Sequence, residues 1–488
     1  MPPRRALEPP GLRARTARGG LVNAVFLSGA ELLVLLQGLL ATVLLGPDLI
    51  GLYGVVTTTA MTIVALRRVG IDEAFVQADA ADEEAEFQRA LTVELALGLL
   101  GALAVAALAP VLAAAYDDDR LLALTFAVTY LPVAFALQAP QWVFFKRMEY
   151  VRLRALQAIV PLGTVAVAVP LLLAGVGVWA LIIGPFCGNL AAILAAWRAS
   201  PYRLRLRPER DAARRYLRFS WPVFVTAAVA LVVAQGQIAV FGLDDGLVAA
   251  GWITLAATLT RYADRADQIL ATTIYPAIVR VRERGEVLEE LFAKANRLTL
   301  MWAFPFGAGF ALFGADLIVF VLGDEWRGAI VLLGGLAVAV ALQQVGYSWF
   351  AFYRARGESW PQAVESAVFG GAFVALAIPG ALLGGSWGFV AGRLGCTACL
   401  LAVRGAYVRR LLPGVSLWAL AARAALPVAL ASAPVLALRL ALWGGERTLA
   451  QALVELALWL AGLALATRRL ERGLLAELRG YLRAGAPA

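Results

Sequence analysis

Leu21–Leu45 reads LVNAVFLSGAELLVLLQGLLATVLL and is followed at once by Gly46-Pro47-Asp48. Twenty-five residues at 1.5 Å rise exceed a hydrocarbon core of about 30 Å, so this run predicts a membrane-crossing helix with a turn at its end. It is far longer than a signal peptide's apolar core and has no A-x-A cleavage site, so it reads as a retained first span. Apolar runs of similar length recur about fourteen times along the 488 residues, over 21–45, 49–67, 90–114, 121–145, 154–174, 177–197, 220–242, 247–270, 298–322, 329–353, 361–383, 386–408, 416–442 and 449–467. The fold class that follows is all-α, a polytopic membrane protein with about 14 transmembrane helices.

Composition agrees with that reading. The chain is 61% hydrophobic and 16% charged with a mean hydropathy of +0.76, well below the roughly 25% charged of an ordinary soluble domain. The longest polar gaps, 68–89, 198–219 and 277–297, are too short for an independent domain, so recognition is expected in or beside the bilayer.

Positive residues set the orientation. Of 43 Lys and Arg, 35 fall in alternate connections that include both termini, while the opposite set holds only Arg120, Arg327 and Arg447. Lysine and arginine stay on the cytoplasmic side, so both termini are expected there. The net charge of +9 then belongs to a membrane face and its anionic headgroups rather than to nucleic acid. Its densest part is Arg198, Arg203, Arg205, Arg207, Arg210, Arg214, Arg215 and Arg218, which reads first as a topology anchor. After Arg469, Leu470, Leu474, Leu475, Leu478 and Leu482 share one helical face, as in a helix lying on the inner leaflet.

A weak internal repeat divides the chain: 1–20 a cytoplasmic segment, 21–200 a six-helix lobe, 201–219 a basic linker, 220–410 a second six-helix lobe, 411–467 an added helix pair, and 468–488 an amphipathic tail. The loop Asp117-Asp118-Asp119-Arg120 is echoed by Gly323-Asp324-Glu325-Trp326-Arg327, and Gly46-Pro47-Asp48 by Gly242-Leu243-Asp244-Asp245. Units with an even number of helices run in the same direction, so a cavity between two lobes is the expected substrate path.

Cys187, Cys396 and Cys399 fall inside predicted spans and read as packing residues. The Cys396-x-x-Cys399 spacing lacks a partner pair and the chain has no histidine, so no metal site or cofactor is expected. No P-loop is present and Asp117-Asp118-Asp119 sits in a short loop, so the chain is not read as an enzyme.

Ionisable residues inside spans cost about 2.5–3.5 kcal/mol to insert and are functional candidates by default. Arg393, with no acidic residue within four positions on its own helix, is the first candidate for a cavity cation, the alternative being a carboxylate on a neighbouring helix or snorkelling. Arg261 and Arg265 are further candidates, although Asp264 and Asp267 can pair with them. Glu31, in the middle of the first span, is the candidate for coupling to an ion gradient, with an ion pair as the alternative. Gln37, Gln235, Gln237, Gln343 and Gln344 supply neutral donors and acceptors of the kind sugar hydroxyls require, or bond helix to helix. Trp142, Trp252, Trp302, Trp326, Trp349, Trp387 and Trp418 read as interfacial belts.

Leu45-Gly46-Pro47, Gly51-Leu52-Tyr53-Gly54, Val69-Gly70-Ile71-Asp72-Glu73-Ala74-Phe75-Val76-Gln77, Tyr275-Pro276-Ala277 and Leu322-Gly323-Asp324-Glu325-Trp326, in this order and spacing, resemble polysaccharide flippases of the Wzx type. The resemblance covers nearly the whole chain and implies the multidrug/oligosaccharidyl-lipid/polysaccharide exporter superfamily. What it implies is translocation of a polyprenyl-diphosphate-linked oligosaccharide from the cytoplasmic to the outer leaflet by alternating access, for surface polysaccharide biosynthesis such as lipopolysaccharide or exopolysaccharide. Implied partners are that substrate, membrane lipids, a coupling ion (H+ or Na+) and a polysaccharide polymerase complex. Ala234-Gln235-Gly236-Gln237-Ile238 departs from the pattern in lacking an acidic residue, so no ion site is carried over there. A cationic-drug exporter, a peptidoglycan lipid-precursor flippase and a membrane sugar polymerase are the alternatives.

Overall fold

The computed structural model describes residues 12–67, 71–78, 82–147, 149–219, 221–264, 278, 285–356, 358, 360–443 and 447–476. The described residues form helices and turns only. Nine helical stretches among them are long and apolar enough to cross a membrane, and Leu231–Leu243 and Ala329–Gln343 are shorter apolar helices. The protein is therefore an all-α polytopic membrane protein. Glycines at 46 and 384–385 separate expected spans that follow one another with almost no connecting loop.

The first two expected spans run together as α1 (Leu12–Arg67), broken at Gly46, where φ is 69° and ψ 172°. Only glycine takes that conformation without strain, and Pro47 then restarts the helix at a position where its missing N–H costs nothing. After the short α2 (Ile71–Gln77), α3 (Glu83–Tyr116) begins at Asp82, whose carboxylate accepts from the Ala85 N–H at 2.9 Å. The span expected over 121–145 is three short helices, α4 (Arg120–Ala127), α5 (Tyr130–Leu137) and α6 (Pro140–Lys146). Then follow α7 (Tyr150–Leu173), α8 (Ala180–Ala199), the short amphipathic α9 (Arg210–Phe219), α10 (Trp221–Asp244) and α11 (Gly246–Thr260).

The remaining helices are α12 (Gly285–Leu317), α13 (Ala329–Gln343), α14 (Trp349–Arg354), α15 (Trp360–Ala372), α16 (Ile378–Leu411), α17 (Leu417–Leu438) and α18 (Leu449–Leu470). The apolar stretch Trp360–Leu411 is 52 residues, far too long for one crossing. Gly384 (φ −139°) and Gly385 (φ 54°) fold it back on itself. Gly380 faces Gly388 and Gly392 faces Leu376 so closely that a methyl on Gly388 or Gly392 would overlap the opposing carbonyl. Thr448 closes a capping box with Gln451 that starts α18.

One apolar core joins the two halves of the chain, with Leu52, Val56 and Ala60 of α1 packed among Ala249, Ile253 and Ala256 of α11. The approach is close because side chains are absent. A methyl on Gly51 would overlap the Leu247 carbonyl, one on Gly251 the Pro47 carbonyl, and one on Gly54 the Thr254 side chain. Trp252 extends this seam by donating from its indole nitrogen to the Glu325 carbonyl at 3.0 Å. Beside it, Arg120 holds Asp48 at 2.9 Å and Asp118, which keeps the Asp118 carboxyl below its usual range.

Trp326 and Trp349 are fully buried, which corrects the expectation of interfacial belts at those two positions. Cys187, Cys396 and Cys399 are all free thiols.

Candidate functional site

Two cavities adjoin at α10 and α11, the first between the two halves of the chain and the second within the second half. The first, about 450 Å³, is lined by both limbs of α1 and by α10 and α11, and its wall is rich in hydroxyls: Thr57, Thr58, Thr62, Thr254 and Thr258 join Tyr53 and Gln37. Helical spacing explains the stripe, since positions three and four apart share a face. The second, about 400 Å³, is lined by α10, α11, α13, α15 and α16 and carries Gln237, Gln343, Glu365, Arg261 and Arg393. Ala234 and Arg261 line both, so the two spaces meet there.

Arg393 is 6% exposed, with its guanidinium 5.1 Å from the Phe369 ring and 5.8 Å from the Phe373 ring. Its Nε and Nη1 have no hydrogen-bond partner among the described residues. Aromatic faces offset only part of the cost of a desolvated cation, about 2 kcal/mol or somewhat more each, so the guanidinium keeps uncompensated donors beside the cavity. The carboxylate that shares this cavity, Glu365, does not neutralise it. Glu365 is bound at 2.7 Å by Nε of Arg404, about three turns along α16 from Arg393.

Arg404 is 1% exposed. Its Nη1 donates to the carbonyls of Gln343 at 2.5 Å and Val345 at 2.7 Å. Those carbonyls are free because the chain leaves helical geometry between α13 and α14, with Gly346 at φ 72°. Asn296 of α12 donates to the Gln344 carbonyl at 3.1 Å, which also accepts from the Tyr347 N–H at 3.2 Å. Gln343, which lines the second cavity, donates from its side chain to Thr397 at 3.0 Å. A comparable break between α5 and α6 is held by Trp197, which donates to the Leu137 carbonyl at 2.8 Å, and by Gln138 bonded to Asn189 at 2.8 Å. The pair Arg404–Glu365 is the feature that sequence reasoning missed. The signal available was Glu365 inside one predicted span and Arg404 inside the next, an acid and a base that share membrane depth.

The other candidates distribute as follows. Gln37, Gln237, Gln343, Arg261 and Arg393 line the cavities. Gln235 lies outside both linings and donates to Thr62 at 3.2 Å, and Gln344 is 1% exposed within the helix contact. Arg261 is exposed, with its guanidinium 5.4 Å from the Tyr262 ring. Arg265 and the Glu31 side chain lie outside the described residues. Arg423 pairs with Glu471 at 3.4 Å, which also meets Arg297. Leu474 is buried and Leu475 lines a groove between α12 and α18, so the described start of the tail packs on the bundle.

A continuous all-helical bundle with a polar, cation-bearing cavity between its halves defines a membrane transporter fold. A family model described as "Polysaccharide biosynthesis protein" matches residues 40–331, and the chain belongs to that family. Among solved structures, the fold is similar to the lipid II flippase MurJ in an inward closed conformation, with a TM-score of 0.70 at 11% identity over 93% of this chain and 100% of that one. It is also similar to an inward-facing multidrug resistance MATE family transporter of the MOP superfamily, with a TM-score of 0.64 at 15% identity over 79% and 96%. An outward-facing MATE family transporter gives 0.54 at 15% identity over 82% and 97%. A comparison with curated protein sequences gives no match.

Proposed function

We propose that this protein flips a polyprenyl-diphosphate-linked oligosaccharide from the cytoplasmic to the outer leaflet. It alternates access to the joined cavities and draws on an ion gradient. The observation that carries the reading is Arg393, a buried guanidinium with unpartnered donors on a cavity wall. The physical obstacle to flipping is a diphosphate and its sugars, which hydrocarbon cannot solvate. Arg393 and Arg261 meet the first, and the threonine-rich wall meets the second with hydroxyls that both donate and accept.

The seam of α1 on α11 closes the side that the Lys and Arg distribution assigns to the outside, leaving the cavities to serve the cytoplasmic side. Greater similarity to the inward-facing than to the outward-facing MATE structure supports the same state. The glutamate at position 31 is the proposed coupling group, and a polymerase working beside the flippase is the proposed partner. A cationic-drug exporter is less well served, because the one carboxylate among the described cavity residues is already occupied by Arg404. The likeness to the lipid II flippase favours a second reading, a peptidoglycan lipid precursor with the same diphosphate chemistry.

The test is uptake of a fluorescent polyprenyl-diphosphate oligosaccharide into inverted vesicles. Arg393→Ala, present at the parent's level, should slow it roughly 10- to 150-fold, the equivalent of one lost hydrogen-bonded charge contact of about 1.5–3 kcal/mol. Arg393→Lys should retain part of the rate. Uptake equal to the parent's in Arg393→Ala would sink the proposal, and lethality on depletion would select the peptidoglycan precursor as substrate.

A further inference from the structure

We infer that residues 201–209, which join α8 to α9, form a built docking strap for anionic phospholipid headgroups of the inner leaflet. This goes beyond the transport reading and does not depend on which lipid-linked substrate is carried.

The strap is tied to one stripe of α3. The Arg203 N–H donates to Glu84 Oε1 at 3.3 Å, its carbonyl accepts from Gln88 Nε2 at 3.4 Å, and the Arg207 N–H donates to Thr92 Oγ1 at 2.8 Å. From Glu84 to Thr92 a helix climbs about 12 Å, and an extended chain covers about 13 Å from residue 203 to residue 207, so the two match without slack. The foot is fixed by Arg89, which meets Glu209 at 2.5 Å, and by Tyr216 of α9, whose hydroxyl donates to Glu86 at 2.7 Å. Ala212 and Tyr216 are buried beneath α9.

With the backbone held, alternate side chains project to opposite sides. Leu204 and Leu206 are 56% and 58% exposed, while Arg203 and Arg205 are exposed beside them and Arg210 and Arg214 continue the basic surface on α9. In water such leucines would be a liability. At the boundary of headgroups and acyl chains they enter the apolar layer while the guanidinium groups meet phosphates, the arrangement of an interfacial anchor. The acidic residues of strap and α9 are Glu209, already engaged by Arg89, and Asp211, so positive charge prevails. Tyr202 adds an amphipathic ring at the same level, bonded through its hydroxyl to Arg147 at 2.7 Å. The surface therefore selects for headgroup charge, with the leucines supplying affinity for any lipid.

The experiment compares retention of phosphatidylglycerol and phosphatidylcholine on the purified full chain by native mass spectrometry. The parent should hold phosphatidylglycerol preferentially, and a variant combining Arg203→Gln, Arg205→Gln, Arg210→Gln and Arg214→Gln should lose that preference by about tenfold or more. Leu204→Ser with Leu206→Ser should weaken both lipids alike, and Arg409→Gln with Arg410→Gln elsewhere should change nothing. Inorganic phosphate should fail to compete. A fourfold variant that keeps the parent's preference, or a parent that holds both lipids equally, overturns the proposal. A measurement on unaltered protein stands beside it: phosphatidylglycerol should raise Tm more than phosphatidylcholine, and the difference should vanish at high salt. Its persistence at high salt overturns the proposal as well.

Discussion

Arg404 and Arg393 sit on one helix yet do different work because of what faces them. Arg404 is saturated by Glu365 and two carbonyls, whereas Arg393 keeps donors open. A buried pair broken from one side leaves an uncompensated charge, which costs about 3–5 kcal/mol. Arg404→Ala should therefore destabilise the protein by roughly that amount, lowering Tm in detergent, while Arg404→Ala combined with Glu365→Ala should cost less than the two losses added together. Additive losses would show that the pair is not the unit. At this scale the sequence exposes candidates but not partners. Arg393 stood out as a charge inside an apolar run, but whether a charge on one span meets a charge on another depends on register and rotation, which apolar periodicity leaves free. Arg404 was hidden because it lies near the end of its span, where a charge ordinarily reaches headgroups.

At the scale of elements, the length of the apolar runs marked the chain as helical and membrane-spanning, since the bilayer fixes that length, and nine of the described helical stretches are long enough to cross. Gly46 and Gly384–Gly385 break the helices where the expected spans part, between 21–45 and 49–67 and between 361–383 and 386–408. Breaks inside a span were harder to read. The span over 121–145 divides because turns at 128–129 and 138–139 interrupt it, although no proline stands at the first of them. The seam of α1 on α11 rests on Gly51, Gly54 and Gly251, glycines that resemble any others until their neighbours are known. Gly251→Val should push α1 and α11 apart at a cost of about 1–3 kcal/mol, as overpacking does. Hydrogen–deuterium exchange over residues 46–58 and 246–258 should quicken in that variant, and unchanged exchange would show that the seam yields elsewhere.

For the whole molecule, α17 and α18 have their own attachment. Glu455, fully buried, binds Arg439 at 2.9 Å and Arg447 at 2.7 Å, Arg447 binds Asp316 of α12 at 2.7 Å, and Arg439 also donates to the Leu312 carbonyl at 2.9 Å. This network fastens the last two helices to α12, so they should move with it as one body. Glu455→Ala leaves two guanidinium groups short of a partner and should cost about 3–5 kcal/mol, with trypsin cutting sooner near Arg447. Resistance equal to the parent's would place the attachment in the apolar contacts instead, such as Phe313 against Trp459. Helix content was open to a reader of the sequence, because hydropathy is a property of composition. The joined cavities were not, because they arise from distant helices whose polar faces meet only on assembly.

The glycine-lined seam has one more consequence. Glycines have no rotamers to lose, so forming the contact costs almost no side-chain entropy, and dispersion between bare backbones fades within an ångström of separation. In the proposed transport cycle, a closure built this way is cheap to form and quick to fail, snapping between sealed and parted with little in between and without refolding anything around it.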